Sequence, residues 1–536
     1  MAAPRRPRVL VCDELSPSAL ANLSNRGLEV IERLGLAEPA LCEAVHDVDA
    51  IVVRSATRIT AKVIAAAPRL TVVGRAGIGV DNIDREAATA RGVVVMNTPG
   101  GNTLSTAELA LALCFALARN ITAASRRTRE GSWSKKGLVG AEMTGKTLGI
   151  VGLGRVGGLL AERARALGMR VLAADPYLAA AGKGSPIAGV DLVELHALLP
   201  QVDFLSLHVP LVDGTNDMIG ARELALMKRS AYVVNTSRGG VVNEQALLEA
   251  LDRGALAGAA LDVLLEEPPK ADHPLLKHDK VVVTPHLGAS SVEAQDRVGD
   301  MIAEQIAEFL LNGTARNAVN MPAYGREQLQ RMAPALELGE RMGAFAVQLV
   351  DGPVAKVEVT ACGALAEHGT EPFRLACLVG LLRHVVGAGV NFVNAPLVAR
   401  ERGIRVLESV EDESIYHDGH LLLRLEGVNG GGASVRGALF GRTPYLTRID
   451  GVHVDLEPKG AILVTRHEDR PGVLGRIGTV LGEHGVNILR VDLGRPSHDQ
   501  GALASAYLSV DKLVGKDVLD DLRRIEPIRW VSCVRL

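Results

Sequence analysis

Three glycines in the segment VGLGRVGG, at positions 152, 154 and 157, constrain this chain more than any other feature. They stand where an apolar run, TLGIV, passes into a helical pattern, RVGGLLAERARALG. At such a junction Gly152 allows a tight turn, Gly154 lets backbone N–H groups approach an anion, and Gly157 lets the helix close onto the sheet. Asp175 ends the next apolar run, MRVLAAD, some twenty residues beyond Gly152, the separation expected of an acid that accepts hydrogen bonds from a ribose. Glycines at strand-to-helix turns are common; the placed acid turns the pattern into a dinucleotide site. Its negative charge repels a 2′-phosphate, so NAD is expected rather than NADP.

The remaining patterns surround that turn. Short Val/Ile/Leu runs alternate with helix-like stretches from Arg8 to about Thr98, and again from Gly145 to about Pro285. Continuous apolar strands alternating with helices imply parallel sheets covered on both faces. Between them GNTLSTAELALALCFALARNI reads as one long bridging helix, with Asn102 or Thr103 as its cap. The helix pattern SSVEAQDRVGDMIAEQIAEFLLNG suggests a return to the first unit. The fold expected is therefore α/β: a doubly wound Rossmann-type domain (99–286) inserted in a flavodoxin-like domain (1–98 and 287–316), then a mixed α/β domain (317–456) and a ferredoxin-like βαββαβ module (460–536). A chain of 536 residues has room for these units, and only 3% aromatic residues with 57 glycines favour α/β layers over a sandwich. A formal charge of −3 gives no reason to expect a nucleic-acid or membrane partner. Six scattered cysteines without a CxxC pair indicate no metal site and a reducing, cytoplasmic setting.

A hydride-transfer site for a hydroxy acid needs a cation for the carboxylate, a proton carrier for the hydroxyl and a group that orients the carrier. Arg238 in VVNTSRGG, His286 in VVVTPHLGAS and Glu267 in ALDVLLEEPP supply them, each after a strand of the dinucleotide unit. Singly they read as a surface ion-pair partner, a strand-end histidine and a solvated loop acid. Together, on loops after successive strands, they read as a site. Arg54 in VVRSAT and Arg75 in VVGRAG follow strands of the first unit, where their guanidinium groups can converge on the interdomain cleft and grip a phosphate.

These segments, with VVGRAGIGVDNID and NTPGGNTLSTAEL, make the chain resemble the D-isomer-specific 2-hydroxyacid dehydrogenases. The resemblance is densest over roughly residues 8–320 and is stronger still to the branch that oxidises 3-phospho-D-glycerate, whose long form adds an intervening domain and a regulatory ACT domain. It implies that Arg238, Glu267 and His286 are the catalytic set, that Arg155, Val156, Val209, Thr236, Asp262 and Ile78 join the glycines and Asp175 around NAD, and that Ser55, Gly77, Asn102 and Lys135 join Arg54 and Arg75 around substrate. The loop holding Trp133, Lys135 and Lys136 reaches a neighbouring subunit's cleft in such relatives, which implies a homo-oligomer, a dimer or tetramer. In the ACT module, positions matching Asp469 and Asn487 bind an amino-acid effector, often L-serine; an assembly contact alone is the other reading. Ile78 stands where a threonine is common, Asn243 where aspartate is frequent, and Leu264 and Leu265 where an aromatic is usual. Two alternatives remain: another small D-2-hydroxy acid as substrate, and an NAD-sensing, corepressor-like binding protein.

Overall fold

The computed structural model describes residues 5–182, 184–495 and 503–536. The first alternation forms a five-stranded parallel sheet from β1 (Arg8–Val11), β2 (Glu29–Glu32), β3 (Ala50–Val53), β4 (Val72–Arg75) and β5 (Val94–Met96), in the order β2-β1-β3-β4-β5. All four residues of β3 are buried, as a strand covered on both faces requires. The second alternation forms a seven-stranded parallel sheet from β6 (Thr147–Val151), β7 (Arg170–Ala174), β8 (Val190–Leu192), β9 (Phe204–Leu207), β10 (Tyr232–Asn235), β11 (Gly258–Leu261) and β12 (Val281–Val283). Its order, β12-β11-β10-β9-β6-β7-β8, reverses direction between β6 and β9, so the strand ends there open a crevice for a ligand.

Two helices join the sheets. The expected single long helix is instead Thr103–Ala118 followed by Ile121–Arg129, bent by 63° where Asn120 takes a left-handed conformation (φ 51°). Asn102 does occupy the cap position of the first helix, but neither its side chain nor that of Thr103 makes a cap hydrogen bond. The second connection, helix Val292–Asn312, lays Val298, Ile302 and Ile306 into the core beneath the first sheet. Beyond it residues 317–320 still bond to β5: the Val319 N–H donates to the Val95 carbonyl (2.8 Å) and the Asn320 side chain accepts from the Val95 N–H (2.9 Å). The first unit therefore runs past the boundary expected after residue 316.

Helices Arg326–Val347 and Glu371–Val386 pack together over a six-stranded mixed sheet of β13 (Val354–Cys362), β14 (Arg405–Glu411), β15 (His420–Gly427), β16 (Gly432–Phe440), β17 (Thr443–Ile449) and β18 (Val452–Leu456). At Gly380 a Cβ would collide with the Glu340 carbonyl, so the two helix backbones meet without side chains between them. The last sheet, β20-β21-β19-β22, is antiparallel and made of β19 (Ala461–Glu468), β20 (Ile488–Gly494), β21 (Leu503–Val510) and β22 (Ile528–Arg535). Helices Val473–Glu483 and Lys516–Arg523 cover one face. From the other, Ile462, Val464, Tyr507 and Val534 enter the same apolar core as β13 and β15–β18. Arg466 bridges these two sheets, bonded to Asp450 (2.8 Å) and stacked on Trp530 (5.1 Å). The C-terminal half also touches the first sheet: Asn391 Nδ2 donates to the Gly92 carbonyl (2.8 Å) and Val393 joins the core there. Among the described residues no single helix is long and apolar enough to cross a membrane.

Candidate active site

Gly152 follows β6 at φ 90°, and a Cβ there would strike the His208 carbonyl; a Cβ on Gly157 would strike the Gly152 carbonyl. Only glycine permits both the turn and the approach of helix Arg155–Ala166, whose N-terminus, capped by Gly154, opens into the crevice. Asp175 closes β7 beside this turn. One of its oxygens accepts from the Leu153 N–H (2.9 Å) and the other from the N–H groups of Tyr177 and Leu178 (3.1 Å each), so it holds the glycine turn as well as capping the helix that follows.

The second wall consists of the loops after β10, β11 and β12. Asn235, 2% exposed, donates to the Arg238 carbonyl (2.9 Å) and accepts from the Ser237 N–H (3.0 Å) and hydroxyl (2.8 Å), folding the turn that presents Arg238. His286 sits at φ 54°, its N–H bonded to the Asp262 carbonyl (2.8 Å). Asp262 was expected at the cofactor, yet it is only 1% exposed and its carboxylate takes Thr284 Oγ1 (2.6 Å) and the N–H groups of Leu287 (2.7 Å) and Gly288 (2.9 Å). Its visible work is to fix the histidine loop. Burial pushes its carboxyl up, against those three donors and His286. Glu267 Oε2 lies 2.7 Å from His286 Nδ1, and its other oxygen accepts from the Leu264 N–H (3.1 Å). Burial alone would raise the Glu267 carboxyl, but the His286 hydrogen bond and charge, the Leu264 N–H and Arg238 outweigh it and hold it below the usual carboxylate range. With Nδ1 engaged, Nε2 is the nitrogen left for a ligand.

The first sheet supplies the facing wall. Arg54, Ser55, Arg75, Gly77, Ile78 and Asn102 line one cavity of about 410 Å³ together with Gly154, Arg155, Val156, Val209, Thr236, Arg238 and His286. Residues separated by more than two hundred positions thus share one cleft between the two parallel sheets. Arg75 is pressed by burial, then by Arg238 and Arg54, down to about 10, and remains cationic at neutral pH. Of the ten buried side-chain polar atoms without a partner among the described residues, four belong to residues lining this cleft: Arg75 Nε, Asn102 Oδ1, Thr103 Oγ1 and Thr236 Oγ1. Groups buried without partners are costly unless a ligand completes them, and here they lie beside a glycine cradle and a helix N-terminus suited to a dinucleotide pyrophosphate. The residues present fit NAD.

Sequence reasoning passed over Asp81, whose Oδ2 lies 3.4 Å from Arg238 Nε, and His208, bonded through Nε2 to Ser206 Oγ (2.9 Å) and driven by burial to about 4, hence neutral. Both line the cleft. Asn243, the departure from aspartate, still caps helix Glu244–Asp252 by accepting from the Ala246 N–H (2.8 Å). Lys135 and Trp133 are exposed, and Lys135 does not line this cleft. In the C-terminal module Asp469 pairs with Arg495 (3.2 Å), and Asn487, just before β20, donates its N–H to Asp511 (2.9 Å). The helix between them begins after Gly472 without a side-chain cap.

Family models match in three places: the D-isomer specific 2-hydroxyacid dehydrogenase NAD binding domain over 111–288, the D-3-phosphoglycerate dehydrogenase intervening domain over 331–450, and the ACT domain over 461–527. The D-3-phosphoglycerate dehydrogenase of Methanocaldococcus jannaschii is 41% identical, aligned over 99% of this chain and 100% of its own length; that of Bacillus subtilis is 35% identical over 99% of each. Among solved structures, TT0316 from Thermus thermophilus is 38% identical with a TM-score of 0.53, covering 58% of this chain and 99% of its own. The NAD-dependent formate dehydrogenase of Staphylococcus aureus, solved with NAD, is 30% identical with a TM-score of 0.51, covering 57% of this chain and 96% of its own. With all three modules matched and relatives aligned from end to end, the chain belongs to the D-3-phosphoglycerate dehydrogenase family.

Proposed function

We propose that this enzyme oxidises the C2 hydroxyl of 3-phospho-D-glycerate to give 3-phosphohydroxypyruvate, opening the phosphorylated route to L-serine. The observation that carries the reading is the single cleft lined by His286, which Glu267 backs at Nδ1, together with three arginines, Arg54, Arg75 and Arg238. NAD, held by Gly152–Gly157, Asp175 and the polar groups around Thr236, supplies the acceptor for the hydride that leaves C2. Arg238 grips the substrate carboxylate and polarises the C2 oxygen. His286 Nε2 takes the hydroxyl proton, and Glu267 steadies the imidazolium that results. Arg54, with Ser55, and Arg75 receive the phosphate. With Arg238 assigned to the carboxylate, Arg54 and Arg75 are two further cations that a phosphate uses and a simple hydroxy acid does not, while Asp81 offsets part of the charge beside Arg238.

A panel of D-2-hydroxy acids with NAD, read as NADH absorbance, tests this. The expected result is a kcat/KM for 3-phosphoglycerate well above that for D-glycerate or D-lactate. Equal rates would assign another hydroxy acid, and no turnover of any would leave a binding protein.

The same reading extends to assembly and control. β20 lies at the edge of its sheet and exposes Leu489, Val491 and Leu493, which supports pairing with a second copy in a homo-oligomer. Asp469 and Asn487 then hold L-serine, and the Lys135 loop serves the partner's cleft. Serine binding measured by calorimetry, and its loss in Asn487→Ala, check the effector site. Six free cysteines, four of them buried, suit a reducing cytoplasm.

A further inference from the structure

The segment Arg54–Thr57, which follows β3, is fixed through its main chain by two side chains that the chemistry does not use. Asp13, 8% exposed, accepts at Oδ2 from the N–H groups of Arg54 (2.5 Å) and Thr57 (3.3 Å), and at Oδ1 from the Thr57 hydroxyl (2.7 Å). From the other side Asn82 Nδ2 donates to the carbonyls of Arg54 (2.7 Å) and Thr57 (2.6 Å). Both ends of the segment are thus held by donor and acceptor alike. The Arg54 guanidinium makes no ion pair among the described residues, although a buried carboxylate stands at its own N–H. Here the backbone is gripped while the cation has no ion-pair partner among the described residues and belongs to a residue that, with Ser55, lines the cleft. Asp13 also favours the charge on Arg75 against the opposing fields of Arg238 and Arg54.

We propose that Asp13 and Asn82 are positioning residues for phosphate recognition: together they hold Arg54–Thr57 as a rigid rim, so that binding the substrate phosphate orders nothing further. This deepens, and rests on, the reading of Arg54 and Arg75 as the phosphate site. Preorganisation of this kind appears in affinity for the group recognised and leaves the bond-making step alone. Asp13→Asn keeps the shape but loses an acceptor and the charge; Asn82→Ala removes both donors.

In the full-length enzyme each variant is expected to raise KM for 3-phosphoglycerate about tenfold or more, with kcat, KM for NAD and KM for unphosphorylated D-glycerate all within about threefold. Amide exchange of Arg54 and Thr57, slow in the parent, is expected to quicken about tenfold in Asp13→Asn while β3 and β4 stay protected. Equal losses on both substrates, or faster exchange without a KM change, would overturn the positioning role. Unaltered exchange in both variants would overturn the clamp itself. A parent enzyme indifferent to the phosphate would overturn the phosphate reading, and the clamp's role with it, and that failure is seen before any variant is made.

Discussion

His286 is held at three points: its main chain by Asp262, its Nδ1 by Glu267, and its loop by the Asp262 carboxylate. On the proposed reading, removing the imidazole takes away the proton acceptor and leaves the residues proposed for the carboxylate and the cofactor in place. His286→Ala is therefore expected to lose on the order of 10²-fold or more in kcat with little change in KM for NAD, measured by steady-state kinetics. Glu267 gives a pH-dependent counterpart. Its folded carboxyl lies below its ordinary value, so its stabilising contribution is full above that value, near 4.3, and is lost as pH falls through the lowered one. The melting temperature of the parent should exceed that of Glu267→Gln at pH 5–6, and the gap should narrow as pH falls through the lowered value. A gap that widens on acidification would reverse the assignment. The placement of the glycine turn, Arg238, Glu267 and His286 about one cleft was legible because turn geometry and the proposed hydride chemistry each ask for a residue type after a strand. That of Asp13 and Asn82 was not: an acid after RVLVC and an amide in GVDNID look like any solvated turn until the fold sets them on either side of Arg54–Thr57.

Among the elements, the strands were the most legible, because short β-branched runs such as AIVV and TLGIV, alternating with helical patterns, suit strands of a parallel sheet buried on both faces. The angle of the helix break at Asn120 was hidden. The apolar run ends at Ala118, and Asn120, a residue that tolerates the left-handed conformation, marks the stop; the size of the turn, 63°, is set by packing and has no local signal. The close helix pair of the intervening domain was equally hidden, since glycines in helices read as weak points. Gly380 is instead where two backbones touch. Gly380→Ala forces Glu371–Val386 away from Arg326–Val347 and is expected to cost about 1–3 kcal/mol, read as a lower urea midpoint with unchanged turnover. A neutral or stabilising effect would mean that the helices part freely.

Across the whole molecule, the apolar core shared by the intervening sheet and the ACT sheet makes two sequence modules one packed body. A chain ending after Leu456 leaves bare the surface that Ile462, Val464, Tyr507 and Val534 cover, and is expected to aggregate in size-exclusion chromatography. A chain ending after Met321 keeps the 317–320 segment on β5 and is expected to stay soluble and retain NAD-dependent turnover; ending at Ala315 removes that segment. A soluble, monomeric 1–456 fragment would show that the sheets merely abut. For anyone wishing to exchange the ACT module, the seam falls in an inconvenient place: moved alone, it brings a foreign inner face to a core already cut to fit. The better cassette is the span from Arg326 to Leu536, moved as one piece with Asn391 and Val393, which meet the first sheet, kept in place.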